Sequence, residues 1–168
     1  MVFPMMRNLA IGIVIFFASL FLQAASLNAP APPFALLNSH QQRRTLSSYK
    51  GQVVFINFWA SWCAPCQVEL PELNRLAGDY SGKKVHVLAI NVDTDRKAAR
   101  DALARLGLTR AGLEILWDNP SKVVSAYRIE AMPSSFILDP NGVVRFSHSG
   151  YHSHDPDSWR TEINQLLQ

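Results

Sequence analysis

Asn57-Phe58-Trp59-Ala60-Ser61-Trp62-Cys63-Ala64-Pro65-Cys66 decides how the rest of the chain is read. It holds the only two cysteines of 168 residues and follows directly on the apolar run Val53 to Phe58. Such a run, giving way to small and polar residues, marks a buried strand handing over to a helix. Two cysteines three apart on a first helical turn share one face. Their Cα atoms then lie about 5 to 6 Å apart, inside the range a disulfide tolerates. Pro65 suits the same turn, where its missing N–H would have had no intrahelical partner.

This placement predicts chemistry. A helix N-terminus offers unpaired N–H groups and the positive end of a dipole, and both favour a thiolate. Cys63, nearer the terminus, is expected to be the more acidic and more exposed thiol. Cys66, one turn in, is expected to be shielded and to act as the resolving thiol through a mixed disulfide. A purely structural bridge would close a tiny loop and add little stability. Half of a zinc site would need a second cysteine pair, which the sequence lacks.

Upstream, Arg7 precedes an apolar or small-residue run of 14, Leu9 to Leu22, and then the small residues Ala24, Ala25 and Ser26. This is the pattern of an export signal or, if uncleaved, a membrane anchor over residues 1–26, oriented N-in and C-out. A proline-rich stretch, Asn28 to Pro33, reads as a linker within residues 27–33, and one folded domain is expected over 34–168. The expected compartment is periplasmic or otherwise extracytoplasmic.

Within the domain, Phe34 to Leu37 reads as a short edge strand, and Arg44 to Gly51 as a strand end and tight turn. Val53 to Phe58 is a central strand. The cysteine helix runs to about Gly78-Asp79, with Pro71 expected to kink it and Val68, Leu70, Leu73, Leu76 and Ala77 as its apolar stripe. Val85 to Val92 is a second core strand. Asp95 to Leu106 is an amphipathic helix with Ala98, Ala102, Leu103 and Leu106 inward, stopped by Gly107. Leu113 to Trp117 is a strand and Ser121 to Tyr127 a short helix. Ser134 to Leu138 and Val143 to Ser147 form a hairpin around Asp139-Pro140-Asn141-Gly142. Asp155, as N-cap, opens a last helix to Leu167, with Pro156 at its first position. The order predicts an α/β sandwich whose mixed sheet has parallel strands first and an antiparallel hairpin last.

Composition adds little. A net charge of +3 and scattered basic residues, with no basic tract interleaved by aromatics, argue against nucleic-acid binding.

Three stretches now carry a resemblance: Phe58 to Cys66, the following Glu69-Leu70-Pro71, and Met132-Pro133-Ser134-Ser135-Phe136-Ile137-Leu138-Asp139. Over residues 34 to 168 the chain resembles the thioredoxin superfamily, and more narrowly the exported TlpA/ResA-like thiol–disulfide oxidoreductases. The resemblance implies a thioredoxin-like fold, a redox-active Cys63–Cys66 disulfide with no other cofactor, and a cis Pro133 against the pair. Trp62, Pro65 and Met132 then bind substrate. Glu69 matches a glutamate that ResA-like proteins carry near the active site, where it tunes a thiol or relays the resolving proton. As plain sequence it reads equally as a solvated helix residue. Asn57 departs from the buried aspartate of thioredoxin itself and is expected to be a hydrogen-bonded core amide. Glu130-Ala131-Met132-Pro133-Ser134 departs from the pattern of the CcmG-like branch, which weakens a reading as a haem-protein maturation factor.

The Ala64-Pro65 spacer resembles reducing members. The expected partners are disulfide-containing extracytoplasmic proteins and a membrane electron donor of the DsbD or CcdA type. His148, His152 and His154 read as loop histidines. The alternative is a copper metallochaperone using the same cysteines and one of those histidines. A binding module without thiol chemistry is a third reading.

Overall fold

The computed structural model describes residues 25–108, 112–118 and 121–168. The expected export segment, Arg7 with the apolar run to Leu22, lies outside the described residues. Among the described residues no helix is long and apolar enough to cross a membrane.

In chain order the elements are β1 (Ala35–Asn38), β2 (Arg43–Thr45), β3 (Val53–Trp59), α1 (Ala64–Asp79), β4 (Val85–Asn91), α2 (Arg96–Arg105), β5 (Glu114–Trp117), α3 (Lys122–Tyr127), β6 (Ser134–Leu138), β7 (Val144–Ser149) and α4 (Asp155–Leu166). The strands form one sheet in the order β2-β1-β5-β4-β3-β6-β7. β3, β4 and β5 are parallel, and the remaining neighbours pair antiparallel. The expected mixed sheet is therefore present, with an antiparallel β1–β2 pair added on the far side.

β3 is buried along its whole length because helices cover both faces of the sheet. Its side chains alternate between two cores. Val53, Phe55 and Trp59 pack with Leu70, Leu73 and Leu76 of α1, Ala99 and Ala102 of α2, and Trp159 and Ile163 of α4. Val54, Ile56 and Phe58 pack on the other face with Tyr127 of α3, Phe34 and Tyr49. The rings of Phe58, Tyr127 and Phe136 meet there at tilted and edge-on angles.

Several local expectations are corrected. β1 is not the edge strand. It pairs with β5 through Leu37 and Trp117, and β2 lies outside it. That pairing joins residues eighty apart, which local periodicity does not report. Val68 is 60% exposed and leaves the apolar stripe of α1, while Glu69 takes an inward position. On α2 the inward alanine is Ala99 rather than Ala98, and Leu106 is only partly buried. Asp155 is the first residue of α4 rather than its N-cap; His154 takes the cap, and Pro156 falls one position later.

Other local signals hold. Gly107 has φ +70°, and the Gly107 and Leu108 N–H groups bond the carbonyls of Ala104 (3.0 Å) and Leu103 (2.8 Å), a Schellman stop to α2. Pro71 lies inside α1, which continues past it to Asp79. Residues 28–33, read as a linker, lie against the domain. The Asn28 N–H and Ala31 N–H donate to the carbonyls of Val144 (2.8 Å) and Gly142 (2.9 Å), and the Pro32 carbonyl accepts from the Tyr127 hydroxyl at 3.0 Å.

Candidate active site

The fold sets Cys63 at the carboxyl end of β3, where the parallel strands of an α/β sheet deliver their loops. Cys63 is the N-cap of α1, with Ala64, Pro65 and Cys66 forming the first turn. The two sulfurs are joined as a disulfide, with the Cα atoms 5.3 Å apart, inside the expected interval. The Cys66 N–H donates to Cys63 Sγ at 3.3 Å. No acidic residue stands in the first turn of α1 to oppose a thiolate there. Cys63 retains 6% exposure and Cys66 none, the asymmetry expected of an attacking and a resolving thiol.

A groove of about 420 Å³ opens beside Cys63. Trp62, Cys63, Ala64 and Pro65 form one wall, and Ile129 to Met132 form the other. The structure thus brings together Trp62, Pro65 and Met132 around the cysteine. Trp62 is 70% exposed and stands over the groove, whereas Trp59 is wholly buried in the α1-side core. The two tryptophans, alike in sequence, have separate roles. The Met132–Pro133 peptide is cis, and the Pro133 carbonyl accepts from the Gly150 N–H at 2.8 Å. Pro133 leads directly into β6, the antiparallel neighbour of β3.

Glu69 is fully buried and so is not a solvated helix residue. Its Oε2 accepts from Asn57 Nδ2 at 2.8 Å, and the same amide donates to Ser135 Oγ at 3.0 Å. Glu69 Oε1 has no hydrogen-bond partner among the described residues. Burial pushes the Glu69 carboxyl up to about 8, and the nearby Asp155 adds to the rise. Hydrogen bonds from Asn57 and Ser135 oppose it without prevailing. A carboxylic acid that titrates close to a thiol therefore sits one helical turn beyond Cys66. Asn57 is the core amide expected, and its bonds join β3 to α1 and β6.

The sequence did not point to Ser135 or to Ser61, Gln67, Asn91 and Asp93, which bond the loop carrying Cys63. The signal available was Asn91 and Asp93 at the end of an apolar strand, since polar residues at that end of a parallel sheet face the site.

The histidines are engaged elsewhere, and His148 is not a loop residue: it lies on β7, paired with Ser135 of β6, and is partly buried. His148 Nε2 lies 2.8 Å from Glu162 Oε2, and the His152 and His154 rings stack 5.6 Å apart beside Asp155. Among the described residues no three His, Cys, Asp or Glu side chains are grouped to hold a metal ion. With the sulfurs paired to each other, the geometry favours thiol redox chemistry over copper handling.

A cysteine pair closed at a helix N-terminus, over a mixed sheet and beside a cis-proline segment, is the arrangement of the thioredoxin-like thiol–disulfide oxidoreductases. The chain belongs to the AhpC/TSA family, whose pattern matches residues 27–147. It is 35% identical over 122 residues to the thiol-disulfide oxidoreductase ResA of Geobacillus kaustophilus, covering 73% of this chain and 68% of that one. It is 30% identical to ResA of Bacillus subtilis, with 73% and 66% covered. Among solved structures it is similar to a protein of Chlorobium tepidum assigned as the thiol:disulfide interchange protein DsbE, at 31% identity and a TM-score of 0.79 over 86% of this chain and all of that one. The exposed lipoprotein thioredoxin Etrx1 of Streptococcus pneumoniae follows at 26% identity and a TM-score of 0.67, over 80% and 99%. The chain is a thiol–disulfide oxidoreductase.

Proposed function

We propose that this oxidoreductase works outside the cytoplasm as a disulfide reductase, with Cys63 attacking and Cys66 resolving. The observation that carries this reading is the asymmetry of the pair. Cys63 faces the groove and takes the helix N–H, while Cys66 is enclosed. In the reduced protein the Cys63 thiolate attacks one sulfur of a substrate disulfide and displaces the other as a thiolate. Cys66, losing its proton, then attacks Cys63 Sγ and displaces the second substrate sulfur. Two electrons pass from the cysteine pair to the substrate, and the Cys63–Cys66 disulfide is left. Glu69, which holds a proton at neutral pH, gives it to the first departing thiolate and, so ionised, takes the proton of Cys66. Trp62, Pro65 and Met132 hold the substrate chain, and Pro133 shapes the groove without offering an N–H to sulfur.

Direction and place rest on the sequence. The Ala64-Pro65 spacer resembles reducing members, and the Arg7-led apolar segment directs export or anchors the chain. In an oxidising compartment the pair is reduced again by a membrane carrier of the DsbD or CcdA type. The reduction potential of the pair, measured against a dithiol buffer, tests the direction. A value near about −270 mV fits a reductase; one near about −120 mV makes the chain a disulfide donor instead.

A further inference from the structure

Two residues ahead of Cys63 the chain is gripped from outside its own loop. The Ser61 N–H donates to Asp93 Oδ2 at 2.9 Å, and the Ser61 hydroxyl donates to Asp93 Oδ1 at 3.1 Å. Asp93 is itself buried and lies two residues past the end of β4, on a different part of the chain from the cysteines. Its own position is fixed by Asn91, whose Nδ2 donates to Oδ2 at 2.8 Å and whose Oδ1 accepts the Asp93 N–H at 3.1 Å. The other backbone group of Ser61 is held as well, because its carbonyl accepts from Gln67 Nε2 at 2.6 Å. Ser61 thus has both N–H and C=O fixed by side chains from β4's end and from α1.

A carboxylate is an unexpected choice for this task. Its negative charge near a thiolate works against the thiolate. What it supplies is two acceptor oxygens, so that one side chain takes an N–H and an O–H together. The loop's own backbone adds the bond from the Cys63 N–H to the Ala60 carbonyl at 3.2 Å.

We propose that Asp93 is a positioning residue for the thiol chemistry: acting through Ser61, it fixes where Cys63 Sγ stands against the Cys66 N–H. This rests on the reading of Cys63 as the attacking thiol. With Ser61 released, the loop moves as a unit and the 3.3 Å contact to the helix N-terminus loosens. Cys63 then behaves more like a free cysteine, which titrates near about 8.5.

The test compares Asp93→Ala with Asp93→Asn in the reduced protein. Both variants lack the charge, so a difference between them reports the hydrogen bonds alone. The probe is iodoacetamide, with the alkylation rate of Cys63 followed from pH 5 to pH 9 and the labelled peptide identified by mass. Labelling mainly at Cys66 would show that the nucleophile was misassigned, separately from any shift at Cys63. Asp93→Ala is expected to react about tenfold more slowly than Asp93→Asn below neutral pH, with its midpoint moved up by about one unit, whereas Asp93→Asn keeps the grip, its amide oxygen taking the Ser61 N–H and its NH2 donating to the Ser61 hydroxyl oxygen. Superimposable profiles for the two variants overturn the proposal. Should Asp93→Ala fail to fold in a thermal melt, Ser61→Ala carries the test. It removes the hydroxyl arm only, leaves the Asp93 charge in place, and is expected to slow alkylation about threefold relative to the parent protein; a rate equal to the parent's overturns the proposal.

Discussion

Asn57 and Glu69 meet across the interface of β3 and α1, with Asn57 Nδ2 2.8 Å from Glu69 Oε2. Neither residue has access to solvent. A neutral amide is therefore what the sheet offers to the acid of the site. It stabilises the carboxylate by a hydrogen bond without contributing a charge of its own. Burial still outweighs it, and Glu69 is left titrating at about 8.

That raised value sets a pH dependence of stability. Between about 4.5 and about 8 the folded protein keeps a proton on Glu69 that the unfolded chain has already lost. Folding is thus favoured most at the acid end of this window and loses stability as pH rises through it, levelling off above. Glu69→Gln is uncharged throughout and has no such slope. Urea unfolding at pH 5 and pH 8.5 should show the parent losing on the order of a few kcal/mol more than the variant. Equal losses would show that Glu69 is already ionised in the fold.

Replacing Asn57 by Leu removes the main hydrogen-bond donor of the Glu69 carboxyl. The expected cost is about 1 to 3 kcal/mol at neutral pH, from an unsatisfied buried polar group. The Glu69 midpoint should also move further up. Asn57→Asp places a second carboxyl at the same contact, so that one of the two must stay protonated well above neutrality. Titration of the carboxyl by infrared or carbon NMR reads both effects.

Serine in place of each cysteine separates their roles. Cys63→Ser should abolish reduction of protein disulfides, because no exposed sulfur remains. Cys66→Ser should still attack and then stall, accumulating mixed disulfides visible on non-reducing gels. Full turnover by Cys63→Ser, or the absence of trapped adducts with Cys66→Ser, would each contradict the assignment.

Trp62 projects from the fold instead of supporting it. Trp62→Ala should change unfolding free energy by less than about 0.5 kcal/mol, as surface substitutions do. It should raise KM for a protein disulfide several-fold and leave reaction with a small aromatic disulfide nearly unchanged. A drop in kcat with unaltered KM would instead place Trp62 in the chemical step.

How much of this was legible in sequence depended on the range of the interaction. β3, β4 and β6 are short apolar runs with buried flanks, and each was found within a residue or two. The cysteine pair, its unequal exposure and the cis Pro133 followed from local pattern and resemblance. What escaped were contacts between distant segments. Periodicity on α1 ranked residues by hydropathy and so placed Val68 inside and left Glu69 open. The inward series is Cys66, Glu69, Leu70, Leu73 and Leu76, and the partner that receives the acid there, Asn57, lies on a neighbouring strand. The grip of Asp93 on Ser61 spans 32 residues and has no sequence signature beyond two polar residues at a strand end.

The strap formed by residues 28–33 decides which end of the molecule is free for attachment. Just ahead of it stands Ala25, which lines a cavity with Ile129, Glu130 and Ala131, and these same three residues wall the groove beside Cys63. The other terminus lies away from the sulfurs: Arg160 and Tyr80 tie the later turns of α4 to the carboxyl end of α1, through Asp79 and Asn164. Whatever precedes Ala25, an anchor or an affinity handle, starts beside the mouth of the groove. A dye or carrier protein is therefore better attached after Gln168, where it leaves the approach of protein substrates to Cys63 unchanged.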